Sequence, residues 1–376
     1  MAFQVAWRIL TDRKGRTALA TGGIFIAILL IFVELGFFVA VPQGGMLIYD
    51  HMRFDLLLTS DKYLFQSESG QFPRARLERA MTVPEIAQAS PVWLGGAKWR
   101  DPAGGLKLDV SLIGLDPGAK VFAVPDIERQ SVLLEQPDTV LVDGATRSLF
   151  GSLAAGRAVD IAGRRMKIGG DYALGTGFLG LGVALAGEAN FFRLFPLRPR
   201  DSVNLGLLTL KPGSDPDHAA QALRAALPAD TRVFTRPELV RHEVAYWTTR
   251  TATGLIFGSG LVVSFIVGIM VLFQTLATQI TRQLPQFATL KAIGYRDRYL
   301  DLIVLIQAFL VTAVAFVPAL VAALVIYAVV RRETLLPLSL GPAELGAVFA
   351  ITLLMSAISA MLSLGGLRRA DPAEVF

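Results

Sequence analysis

The segment Thr281–Tyr295 (TRQLPQFATLKAIGY) is where residue types and spacing point most clearly to a task. Phe287, Leu290 and Ile293 recur at i, i+3 and i+6, so a helix carries all three on one face, with Lys291 near its end. Pro285 suits the first turn of such a helix, and Gly294 suits its C-terminal stop. The chemistry offered is docking. An apolar helical face with a cation needs a partner, or a membrane surface, to cover it.

Groups for covalent or acid–base chemistry are sparse and unpatterned. The chain has no Cys, which removes disulfides, thiolate metal sites and Cys nucleophiles together. Its three His (His51, His218, His242) argue against a His-rich metal centre. No phosphate-cradling G-x-x-x-x-G-K-[ST] and no G-x-S-x-G occur. The carboxylates are scattered, as on a solvated surface. The Gly-rich run Gly169–Gly187 lacks a clear preceding strand and a downstream ribose acid, so it reads as a loop. No catalytic residue, no metal ligand and no cofactor is therefore expected in this chain.

The composition places these residues in a membrane setting. Of 376 residues, 53% are hydrophobic and 18% charged, and the mean hydropathy is +0.52. A soluble domain carries about 25% charge. Four stretches are long enough to span a bilayer: residues 17–41, 253–278, 302–330 (with Pro318 inside) and 343–364. The first is too long for the apolar core of a signal peptide, and no A-x-A site follows it. Arg8, Arg13, Lys14 and Arg16 precede the first span. Arg282, Lys291, Arg296 and Arg298 lie between the second and third, and Arg368 and Arg369 follow the fourth. The positive-inside rule puts those parts, and both termini, in the cytoplasm, against Arg331 and Arg332 on the outer side. Residues 42–252 then lie outside, in the periplasm of a Gram-negative cell. They hold 24 Lys/Arg against 23 Asp/Glu, so the basic excess sits near the spans and a nucleic-acid partner is not expected.

Within the spans, Glu34 is an intramembrane acid: it hydrogen-bonds a neighbouring helix, reaches the headgroups or faces a cavity. Gln274 and Gln307 read as interhelical hydrogen bonders. Gly254 and Gly258 form a GxxxG pair, and Gly260, Ser264 and Gly268 continue a small-residue row that lets helices approach, within the chain or across a dimer.

The outer block reads as two β-α-β units. One has strands at Phe54–Thr59 and Ala89–Trp99 around a helix at Pro73–Met81. The other has strands at Val203–Leu210 and Thr231–Phe234 around a helix capped by Asp217. Together they form a base (50–104 and 196–236) with a β-rich insertion, 105–195, projecting from it. A stalk helix, 237–252, feeds into the second span. The fold class expected is an α+β membrane protein: four transmembrane helices with a large periplasmic α/β domain between the first and second. A cytoplasmic amphipathic lead (1–16), a coupling loop (279–301), a short outer loop (331–342) and a cytoplasmic tail (365–376) complete the plan.

The docking segment resembles a known motif. Gln286-Phe287-Ala288-Thr289-Leu290-Lys291-Ala292-Ile293-Gly294 is similar to the E-[IV]-G-[IL]-L-[KR]-A-[LI]-G coupling helix of the FtsX/MacB-like (type VII) ABC transporter permeases. The tail Arg368–Glu374 is similar to that family's R-x-x-x-P-x-E ending, and the one-plus-three span plan matches. Gln286 and Ala288, with Leu35-Gly36-Phe37, Phe54-Asp55 and Pro91-Val92-Trp93, look most like the DevC-type branch. The resemblance implies a permease without ATPase activity of its own. It would pair with a second copy as a homodimer and with two copies of an ABC ATPase subunit, which bind the ATP and Mg. Gln286, Phe287, Leu290, Lys291, Ile293 and Gly294 would form the ATPase contact. It further implies mechanotransmission of ATPase motion to the periplasm. A membrane-fusion adaptor and a TolC-like duct would then export amphiphilic or lipid-like cargo. FtsX-type signalling to a periplasmic hydrolase and LolC-type lipoprotein extraction are the alternatives.

Overall fold

The computed structural model describes residues 14–102, 104, 106–146, 148–175, 180–334, 336 and 338–369. The lead Phe3–Leu10 and the tail motif beyond Arg369 lie outside them. The chain divides into two compact units. One is Met1–Ala40 with Thr251–Thr334 and Leu338–Phe376; the other is Val41–Arg250 with Leu335–Pro337.

Helix α1 (Lys14–His51) continues ten residues beyond the expected span end. Pro42 inside it removes one ladder hydrogen bond. The helix persists because Met46, Ile48 and Tyr49 beyond the proline are buried in an apolar core.

That core belongs to one nine-stranded sheet in the order β11-β1-β10-β3-β4-β8-β5-β7-β6. In chain order the elements are β1 (Leu56–Ser60), β2 (Phe72–Pro73), α2 (Ala75–Ala80), β3 (Ile86–Arg100), β4 (Leu108–Leu115) and α3 (Pro125–Gln130). There follow β5 (Thr139–Asp143), β6 (Ala158–Ile161), β7 (Arg164–Tyr172), β8 (Val183–Gly187) and α4 (Glu188–Leu194). Last come β9 (Ser202–Val203), β10 (Leu205–Leu210), α5 (Pro216–Ala226), β11 (Thr231–Thr235) and α6 (Arg236–Thr249). β10 is antiparallel to both β1 and β3, so it lies between the strands of the first β-α-β unit. β1 likewise lies between β10 and β11. The two units are interleaved, which is the split β-α-β arrangement.

Both faces of this sheet are covered. On one, Leu77 and Ala80 of α2 and Ala219, Ala220 and Leu223 of α5 meet Leu56, Leu58, Leu208 and Val233. On the other, Met46, Ile48 and Tyr49 of α1 and Leu239 of α6 meet Leu57, Leu205 and Leu207. Every residue of β1 is therefore buried, and its sequence is an apolar run rather than an alternation.

The expected base and β-rich insertion are two halves of this one sheet. β3 is 15 residues long. It pairs with β10 over its first half, with β4 from Val92 to Trp99, and with β6 at Trp99 and Arg100. The last pairing closes β3, β4, β8, β5, β7 and β6 into a ring. The insertion borrows a strand of the base to complete that ring, and closure leaves no free edge there.

Two helix starts differ from expectation. α5 is capped by Asp215, whose carboxylate accepts the Asp217 N–H at 3.0 Å, because Pro216 suits the first turn. α6 starts with a capping box: Thr235 N donates to Glu238 Oε2 at 2.9 Å. It ends at Thr249 rather than feeding onward, and Gly254 N donates to Thr251 Oγ1 at 3.1 Å as a new helix begins.

That helix is α7 (Ala252–Ala292), followed by α8 (Asp297–Thr334) and α9 (Pro342–Arg369). With α1 they are, among the described residues, four helices long and apolar enough to cross a membrane. They share a core of Ile24, Ile28, Phe32, Leu272, Leu276, Ile303, Val304, Val348 and Met355. Thr312 and Ser356 hydrogen-bond across α8 and α9 at 2.6 Å. The chain is thus an α+β membrane protein with a large α/β domain between its first and second spans.

Candidate functional site

The docking segment is the end of α7, not a separate short helix. The helix runs through Pro285, and Thr289 Oγ1 donates to the Pro285 carbonyl at 2.9 Å. A helix of 41 residues is about 60 Å long, roughly twice the hydrocarbon thickness of a bilayer. Arg282 and Lys291 can therefore lie beyond the apolar slab while α7 still spans it. Gln286, Phe287, Leu290 and Lys291 are helical; their side chains fall outside the described residues. Ile293 is an apolar group that is 71% exposed. Gly294 ends the turn at φ +102°, a backbone angle that disfavours any side chain. Tyr295 and Tyr299 then stack at 4.7 Å across the start of α8.

The small residues of α7 are occupied within the chain. A Cβ at Gly258 would press on Phe38 of α1, one at Gly260 would collide with the Glu34 carboxylate, and one at Gly268 with Met355 of α9. Ser264 is buried and Gly254 carries the cap already described. Glu34 therefore rests against the Gly260 notch, with its Oε2 buried and without a hydrogen-bond partner among the described residues. Gly36 of α1 leaves room for Tyr327, whose hydroxyl donates to the Phe32 carbonyl. Gln307 is buried and donates to Gln283 Oε1 of α7 at 3.3 Å. Gln274 is exposed and makes no such bond among the described residues; the partner of Gln307 sits nine residues further along the helix.

The sequence reading missed a buried polar chain in the α/β domain. Tyr49 and Tyr63 share a hydroxyl hydrogen bond at 2.7 Å. Tyr63 donates in turn to Glu243 Oε1, and Trp247 Nε1 donates to Glu243 Oε2 at 3.1 Å. Glu243 is 0% exposed. Burial pushes its carboxyl up to about 7, against the opposing pull of the Tyr63 and Trp247 hydrogen bonds. The chain fastens the end of α1, the loop after β1 and α6 to one another. Its only local signal is Leu239, Glu243 and Trp247 at i, i+4 and i+8, an acid on an otherwise apolar face.

The same loop is gripped again beside this chain. His242 Nε2 meets the Leu64 carbonyl at 3.0 Å, and Phe65 stacks on Tyr246 at 4.7 Å. No group of three or more His, Cys, Asp or Glu among the described residues is arranged to hold a metal.

Residues 258–372 match the family described as FtsX-like permease C-terminal. The matched permease segment takes in Gly258, Gly260, Ser264, Gly268 and the whole docking run Gln286–Gly294; Glu34 and Gly254 precede it. Comparison with curated proteins finds no match. Solved structures similar to part of the chain include the periplasmic region of MacB from Actinobacillus actinomycetemcomitans. It is 9% identical with a TM-score of 0.36, covering 50% of this chain and 91% of that one. Another is the extracellular domain of the ABC-type transporter YknZ from Gram-positive bacteria. It is 12% identical with a TM-score of 0.34, covering 49% of this chain and 100% of that one.

Proposed function

We propose that this chain is the membrane subunit of an ABC export system, coupling ATP hydrolysis in a separate ATPase to movement of its outer domain. The observation that carries this reading is the docking run: it ends a helix about 60 Å long, presents Ile293 uncovered and lies inside the FtsX-like permease segment. Such a helix has the length to span a bilayer and still meet a soluble partner. Phe287, Leu290 and Ile293 form the apolar part of the contact, and Lys291 its charged part. Two ATPase copies, binding ATP and Mg, serve a homodimer of the permease in the bacterial inner membrane, with both termini cytoplasmic and residues 42–252 periplasmic. In the DevC-type version of this scheme a membrane-fusion adaptor and a TolC-like duct complete the route for amphiphilic or lipid-like cargo.

The test is an affinity pull-down of the tagged chain from mild-detergent native membranes, with mass spectrometry of what co-purifies. An ABC ATPase with an adaptor is the expected result. An ATPase with a cell-wall hydrolase favours an FtsX-type relay, and one with neither favours LolC-type lipoprotein extraction. No ATPase at all overturns the reading. The double substitution Leu290→Asp with Lys291→Glu should abolish ATPase recovery while the chain still inserts.

A further inference from the structure

A cavity of about 670 Å³ opens on the α/β domain. Its floor is the sheet: Leu94 and Gly96 of β3 with Ile113 of β4. Its wall comes from the loop after β1, Lys62 and residues 66–71. That wall is built rather than loose. Asn204 Nδ2 donates to Ser69 Oγ at 2.9 Å and to the Gly70 carbonyl at 2.7 Å. Asn204 Oδ1 in turn accepts the Leu94 N–H at 2.8 Å.

Three features of the lining ask for a ligand. Gln66 is 3% exposed, lines the cavity, and its Nε2 has no hydrogen-bond partner among the described residues. A buried donor left in that state costs about 1–3 kcal/mol, which an acceptor oxygen would recover. Lys62 and Glu68 line the same cavity with opposite charges, and neither is in an ion pair among the described residues. Finally, a Cβ built on Gly96 meets nothing within 4 Å, so the floor leaves room beside two apolar side chains.

We infer that this cavity is a binding site for a short apolar peptide with free ends. A peptide carboxylate suits Lys62, its ammonium suits Glu68, a backbone carbonyl satisfies Gln66 Nε2, and an apolar side chain lies against Leu94 in the open space over Gly96. The volume is within the range of small-molecule sites and is sufficient for a peptide of about three residues. The inference rests on the export reading in taking the peptide as cargo; binding itself requires no ATPase. The loop that walls the cavity is the loop held to α6 by the Tyr63–Glu243 and Phe65–Tyr246 contacts. Occupancy therefore bears on the helix that precedes α7 in the chain.

The absence of cysteine makes the test direct. The full chain in lipid nanodiscs, carrying Gln71→Cys labelled with bimane at the cavity wall, is titrated with tri-leucine. A saturable change in bimane emission is expected, with N-acetylated, C-amidated tri-leucine about tenfold weaker. Gln66→Leu should weaken tri-leucine about tenfold, the loss of one buried hydrogen bond. Gly96→Leu, which fills the floor, should abolish the change. No saturable change overturns the inference. So does equal binding of blocked and free peptide, or unaltered binding in both variants. If tri-leucine binds and no ATPase co-purifies, the export reading alone fails. If an ATPase co-purifies and tri-leucine does not bind, the cavity inference alone fails.

Discussion

Glu243 has a measurable signature. Its carboxyl titrates near 7 in the folded chain, against an ordinary 4.5, because burial disfavours the charge. Between those two values the unfolded chain has released the proton while the folded chain keeps it. Stability from this group is complete below about pH 4.5 and is lost as pH rises to about 7, on the order of 3 kcal/mol in all. Thermal unfolding of the chain in nanodiscs should show a melting temperature that falls from pH 5 to pH 8, and Glu243→Gln should flatten that fall. Parallel curves for the two proteins would refute the assignment. Beside it, Gly45 of α1 leaves no room for a Cβ, which would collide with the Trp247 indole. That indole is fixed by Glu243, so Gly45→Ala should destabilise by about 1–3 kcal/mol in the same assay. Gly96→Ala, with open space around it, should be close to neutral. None of this was legible in the sequence beyond the i, i+4 spacing of Glu243 and Trp247. Tyr63 is 180 positions from Glu243, and only the fold brings them together.

Elements were easier to read than their ends. The apolar runs of β1 and β10 and the four spans stand out from their surroundings, since burial on both faces or in lipid demands unbroken hydrophobicity. Boundaries depend on single caps. Pro216 moved the α5 cap two residues upstream from the expected Asp217, and Thr251 separates α6 from α7 where a continuous periodic pattern suggested one helix. The docking run was legible as a helix with a Gly stop, but not as the continuation of a span, because Pro285 looks like a start. That stop gives a prediction. Gly294→Ala forces a side chain into a φ of +102°, costing about 1–2 kcal/mol, and re-aims the turn into α8. ATPase recovery in the pull-down should fall with insertion unchanged; wild-type recovery would show that the turn geometry does not matter to docking.

At the scale of the molecule, the proposed orientation follows from charge placement and is open to labelling. Single cysteines at Thr289 and Ala155, both exposed, report the two sides. A membrane-impermeant maleimide should modify Ala155→Cys in intact spheroplasts and Thr289→Cys only after the membrane is opened. The reverse pattern would invert the topology. The span count and the insertion of a large domain after the first span were readable from hydropathy alone. The ring in that domain was not. Its closing pair, Trp99 with Ile161, joins residues 62 positions apart, and strand partners at that distance leave no local trace.

β3 has a parity. Trp93 and Trp99 stand six positions apart on one strand and so point to the same side of the sheet, donating to the Ser202 and Phe150 carbonyls at 2.7 and 3.3 Å. Removing one residue between them would turn the far half of the strand over, carrying Trp99 out of the core and reversing every side chain that the ring receives from it. Removing two would shorten the strand and leave each indole facing inward. The two halves of the outer domain can therefore drift in length relative to each other only by even steps, and an odd indel in Leu94–Lys98 should be far more disruptive than an even one.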